Sequence, residues 1–73
     1  MTDDKIFLIA VGDRIKKIRI DQKMSQQRCA SICNFEKSNM SRIESGNTNP
    51  TLLTLRKISV ALGVKLSDLL DHK

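Results

Sequence analysis

The sequence has no tryptophan and no tyrosine, and Phe7 and Phe35 are its only aromatic residues. Strands of small β-barrels favour aromatic and β-branched residues, so this composition suits aliphatic helix packing instead. Histidine occurs once, as His72 in the tail, and cysteine twice, as Cys29 and Cys33. That leaves no Ser-His-Asp or Cys-His set for nucleophilic catalysis and no complete four-ligand metal site within one chain. No glycine-rich phosphate loop is present either, and the reading is a protein with no enzymatic chemistry, no cofactor and no metal. Long apolar runs are also missing. Ile6-Phe7-Leu8-Ile9-Ala10-Val11 is six residues, against the roughly 20 needed to cross a bilayer. It follows Asp3 and Asp4, whereas a signal peptide starts with a basic region. A cytoplasmic protein with no membrane partner is expected, its two thiols reduced and unpaired.

Seventy-three residues, 40% of them hydrophobic, allow one folded domain, 1–73, and leave no room for a separate effector domain. A chain of this size buries only about 60% of its unfolded surface, so its core must be economical. Thirteen Lys and Arg against eight Asp and Glu give a net charge of +5. Such a balance suits a polyanion partner, either nucleic acid or an anionic membrane surface, or serves solubility alone. The membrane-surface alternative is weakened by the lack of a long basic amphipathic helix.

Hydrophobic spacing predicts five short helices and no strand. Leu8, Val11, Ile15, Ile18 and Gln22 form a three-four stripe, with Thr2 a candidate cap and Asp3 and Asp4 well placed against the helix dipole. Gly12 falls inside this pattern at a cost of about 1 kcal/mol relative to Ala, so the first helix, running to about Gln22, is expected to begin anywhere from Asp3 to Leu8, with the part before Gly12 open to fraying or to forming a separate turn. Ser25 caps a second helix, Gln26 to Ile32, and Asn34 accepts the left-handed conformation that ends it. A third helix runs from about Glu36 to Ser45 and stops at Gly46. Asn47-Thr48-Asn49-Pro50 is a loop. Thr51 opens a fourth helix in which Leu52, Leu55, Ile58, Ala61 and Leu62 share a face, ended by Gly63. A last helix reaches Leu69 and Leu70.

The stretch Ser25 to Gly46 has the layout of a helix-turn-helix: a short helix, a tight turn, and a second helix with one polar face. Ala30 stands at the close contact of the two helices, Met40 and Ile43 face inward, and Phe35 plugs the turn. The other side of the second helix carries Lys37, Ser38, Ser41, Arg42 and Ser45. Such a face is an ordinary solvated surface in most bundles, but it can also reach base edges between phosphate walls.

Ser25-Gln26, Ala30, Ser41-Arg42-Ile43-Glu44 and Gly46 resemble the Cro/phage-repressor family of helix-turn-helix regulators in type and spacing. The resemblance extends through Val11-Gly12-Asp13-Arg14-Ile15 upstream and through Asn49-Pro50-Thr51, Leu55, Ile58, Ala61-Leu62-Gly63-Val64 and Leu69 downstream, covering 11–70 and leaving 1–10 as an N-terminal extension. It implies a compact all-α, five-helix, lambda-repressor-like DNA-binding domain with its helix-turn-helix at the second and third helices. The implied function is sequence-specific binding of double-stranded DNA by a transcriptional repressor or regulator. On this resemblance Lys37, Ser38, Asn39 and Arg42 read bases, while Gln26, Ser25, Ser41 and Asn47 contact phosphates. Arg19 and Glu44 form a partly buried structural ion pair. Four positions depart from the pattern: Cys29 and Cys33 for Leu, Asn34 for Gly, and Glu36 for Ser or Thr. Glu36 repels phosphate unless it serves the helix dipole or accepts from a cytosine amino group. Lys65 replaces a capping serine, so the last helix is expected to start late, at Ser67. The two cysteines, four residues apart, read as core residues ahead of a metal or redox role.

A homodimer is the expected DNA-binding form, joined either at the end built by the fourth and fifth helices, with Leu66 and Leu70 partly exposed, or through Ile6, Ile9 and Ile20 of the N-terminal helix. The rival function is a protein-binding module of the same fold, for example the antitoxin of a toxin pair.

Overall fold

The Thr2 hydroxyl accepts the backbone N–H of Lys5 at 3.1 Å, and Asp3 and Asp4 add two carboxylates to the first turn. A helix so capped starts firmly. In the computed structural model, which describes residues 2–70, this helix, α1, runs Asp3–Asp21 without interruption. The helix begins at Asp3, the early end of the expected range, with no break or fraying at Gly12, and residues 3–10 are the first half of α1. Gly12 is buried where α1 meets the end of the third helix, and that close approach offsets its poor propensity.

The other helices are α2 (Gln26–Ile32), α3 (Lys37–Glu44), α4 (Leu52–Leu62) and α5 (Leu66–Leu70). No strand occurs among the described residues. The core is aliphatic: Val11, Ile15, Ala30, Met40, Ile43, Leu55, Ile58, Leu62 and Leu69, with Cys29 and Cys33 among them. Both cysteines are free thiols. Burial pushes the Cys29 thiol up to about 12, so it stays protonated at neutral pH and acts as a small apolar side chain.

Four helices close the same way. After α1, α2, α3 and α4 the chain turns through a left-handed residue: Lys23 (φ 58), Asn34 (φ 61), Gly46 (φ 76) and Gly63 (φ 68). At each, two backbone N–H groups reach back into the last turn. Lys23 and Met24 donate to the carbonyls of Ile20 and Arg19, and Asn34 and Phe35 to those of Ser31 and Ala30. Gly46 and Asn47 donate to Ile43 and Arg42, and Gly63 and Val64 to Val60 and Ser59. This is the Schellman arrangement, usually accompanied by an apolar residue after the left-handed one that packs on the helix. Met24, Phe35 and Val64 fill that role against the core. Asn47 breaks the series.

Some helix boundaries and one buried face differ from the sequence expectation. α5 starts at Leu66, not late at Ser67, because the Asp68 carboxylate accepts the Lys65 N–H at 3.0 Å and supplies the cap the missing serine would have given. α3 spans Lys37–Glu44, with Glu36 at the N-cap position making no side-chain capping bond. On α4 the buried stripe is Leu55, Ile58, Ser59 and Leu62, while Leu52, at the edge of that stripe in the first turn, is 68% exposed.

Candidate nucleic-acid interface

The pairing of α2 with α3 starts from small and flexible residues at the contact. Ala30 and Cys29 are buried on α2, and Met40 and Ile43 on α3. The left-handed Asn34 makes the turn between them, and Phe35 is half-buried there with the Lys57 ammonium 5.9 Å from its ring centre.

One charged cluster ties three elements to the end of α3. Arg19 of α1 donates from Nε to Glu44 Oε2 at 2.6 Å and from Nη2 to Glu44 Oε1 at 3.0 Å, a bidentate pair. Its Nη1 donates to the Met24 carbonyl at 2.6 Å, fixing the turn before α2. Gln26 Nε2 of α2 donates to Glu44 Oε1 at 2.9 Å. Arg19 and Glu44 are 7% and 6% exposed, and the hydrogen bonds to Glu44 hold the guanidinium above its ordinary pKa despite burial pulling the other way. A bidentate Arg–carboxylate pair fixes direction as well as distance, so α3 has little freedom to rotate against α1 and α2.

On the outside of α3, Lys37, Ser38, Ser41 and Arg42 are exposed and Asn39 is half-buried. Among the described residues none of these five side chains is held by a hydrogen bond or ion pair. Ser25 caps α2, its Oγ accepting from the Arg28 N–H at 3.0 Å, which leaves its hydroxyl proton to donate elsewhere. Gln26 keeps one amide N–H beyond its bond to Glu44. Asn47 is more fully engaged. Its Oδ1 accepts from Lys5 Nζ at 2.7 Å and its Nδ2 donates to Ser45 Oγ at 3.0 Å.

Three contacts have no local signal in the sequence: Lys5 to the Gly46–Asn47 junction, Gln22 Nε2 to the Leu62 carbonyl at 2.6 Å, and Arg14 Nε to the Asp68 carbonyl at 3.0 Å. Each joins residues at least 40 positions apart. Among the described residues no cluster of His, Cys, Asp or Glu could hold a metal ion, and no helix is long and apolar enough to cross a membrane. His72 lies outside the described residues.

A short helix, a left-handed turn and a second helix braced from behind, with a cationic polar face turned outward, make a helix-turn-helix unit. The chain belongs to the helix-turn-helix family, whose model matches residues 15–69. It is 41% identical to the control protein C.BamHI of Bacillus amyloliquefaciens over 82% of this chain and 75% of that protein. It is 37% identical to the immunity repressor of Bacillus phage phi105 over 89% of this chain, which is 45% of the repressor's length. Among solved structures, the restriction-modification controller protein C.AhdI from Aeromonas hydrophila superposes with a TM-score of 0.89 at 25% identity, covering 93% of this chain and 99% of that one. SinR, a master regulator of biofilm formation solved in complex with DNA, superposes at 0.77 with 37% identity, over 84% of this chain and 98% of that one.

Proposed function

We infer that this chain is a transcriptional regulator that binds double-stranded DNA in a sequence-specific way, with α3 in the major groove. The observation that carries the reading is the contrast across α3: one side clamped through Glu44 to α1 and α2, the other cationic and unengaged. Lys37, Ser38, Asn39 and Arg42 are the base-reading side chains, and Ser25, Gln26, Ser41 and Asn47 face phosphates. For Gln26 and Asn47 the internal bonds leave one amide N–H each for that contact.

The binding form is a homodimer, since one recognition helix covers few base pairs and this class gains specificity from two helices about 34–36 Å apart. The surface that supports it is the outer face of α4. Leu53 and Val60 are 59% and 71% exposed, and with Ile32 they line an open groove of about 400 Å³. Leu66 packs against the core, so the α5 side offers less.

The test is selection of a duplex from a random pool, followed by salt titration on wild type, Lys37→Ala and Arg42→Ala. Base-reading residues should each lose about 1–3 kcal/mol, with specificity relaxed at particular positions. A residue that touches only phosphate should weaken all sequences equally and lower the salt slope by about 1. Affinity indifferent to salt would overturn DNA binding, and binding of single half-sites by a monomer would overturn the dimer.

A narrower reading is a control protein of the restriction-modification kind. Its support is likeness: the chain is 41% identical to C.BamHI and 37% identical to the Mycoplasma control protein C.MunI, and it superposes on C.AhdI with a TM-score of 0.89. Recovery of the genomic DNA it binds should find the site beside genes for a restriction endonuclease and its methyltransferase. A site next to unrelated genes alone would refute this reading.

A further inference from the structure

The junction that ends α3 lacks the apolar lock of its three counterparts. Met24, Phe35 and Val64 follow the left-handed residue after α1, α2 and α4 and pack on the core. After α3 the equivalent residue is Asn47, which is exposed and polar. What stands against it is the first half of α1. Gly46 lies so close to that helix that an added Cβ would sit 2.8 Å from the Ile9 backbone. One turn earlier, Lys5 extends its ammonium across the junction, donating to the Gly46 carbonyl and, at 2.7 Å, to Asn47 Oδ1. A cation at the carbonyl end of a helix also opposes the negative pole of its dipole.

The geometry points to Lys5 as a positioning residue for DNA recognition: it replaces the missing apolar lock, closes the C-terminal junction of α3, and fixes the Asn47 loop beside the recognition face. The inference rests on the DNA-binding reading above for its functional half and on the free protein alone for its structural half. Lys5 spends two of its three N–H donors inside the protein, so its charge serves the junction before any phosphate. α1 and the α3–α4 loop are thereby coupled across 42 residues of sequence.

Lys5→Met, Asn47→Ala and the double variant test it with two measurements. In the free protein, backbone hydrogen exchange at Gly46 and Asn47 should accelerate about tenfold in Lys5→Met, while amides within α2 and α4 keep their protection, because local opening is separable from global unfolding. On the duplex selected by wild type, Lys5→Met should weaken binding about five- to tenfold with an unchanged salt slope, and adding Asn47→Ala should weaken it little further, as expected for residues acting as one unit. Unchanged exchange at the junction would overturn the lock. Uniform acceleration everywhere would make Lys5 a general stabiliser and overturn it too. A salt slope reduced by about 1 would make Lys5 a phosphate contact instead, against the inference. If wild type binds no duplex, the DNA reading fails on its own, and exchange in the free protein still decides the lock.

Discussion

Glu44→Ala is expected to destabilise the domain by about 3–5 kcal/mol, the usual cost of removing one partner from a buried ion pair. The loss is large because Glu44 serves more than one partner. Without it the Arg19 guanidinium, 7% exposed, keeps only the Met24 carbonyl, and the Gln26 amide loses its acceptor. Small domains hold roughly 5–15 kcal/mol in all, and a 73-residue core sits toward the lower end of that range. The variant should therefore be partly unfolded at room temperature. Urea titration followed by circular dichroism reads this directly.

The same cycle separates the worth of the pair from the penalty of orphaning a charge. Arg19→Ala should cost a similar amount, since it strands a carboxylate whose side chain is 2% exposed. Replacing both with methionine should recover much of the loss, because a buried pair exchanged for apolar residues of similar volume is often nearly neutral. DNA affinity should not recover with stability, since methionine cannot fix the direction of α3 as the bidentate pair does. Two small, additive single effects would show that the residues act independently, contrary to this account.

Why some of this was legible in sequence and some was not follows from how far each interaction reaches. Asn34, Gly46 and Gly63 announce the left-handed turns they make, because residue type and conformation are linked locally. Lys23 makes the same turn (φ 58) with no such announcement. The Asp68 cap on Lys65 lies three residues beyond the position where a serine was missing, so inspection of position 65 alone implies a late start for α5. Leu52 fits the apolar spacing of α4 yet stays exposed, since spacing defines a stripe and not where the neighbouring helices end. The polar face of α3 could be read from spacing and from the family pattern. The internal bonds that limit Gln26 and Asn47 could not, because each is set by a partner on another element.

Gly12 is the sharpest case, and the two scales of reasoning predict opposite signs for one substitution. Helix propensity alone says that Gly12→Ala should stabilise the protein by about 1 kcal/mol, since Gly12 lies within α1. Packing says otherwise. An alanine Cβ would stand 2.4 Å from the Ile43 carbonyl oxygen, 2.6 Å from that of Glu44 and 2.8 Å from the Glu44 carbonyl carbon. These are backbone atoms, and they have nowhere to retreat. The Ile43 carbonyl accepts the Gly46 N–H in the closure of α3, and the Glu44 side chain is pinned to Arg19. Either α1 must lift away from α3 or the closure must open, and overpacking of this kind typically costs about 1–3 kcal/mol. A lower urea midpoint for Gly12→Ala is the expected result, accompanied by weaker DNA binding measured under conditions where the variant is still folded, because a lifted α1 no longer holds α3 at its angle. A midpoint at or above that of wild type would mean that α1 and α3 are not in contact at Gly12, and the bracing of the recognition helix from behind would have to be abandoned with it.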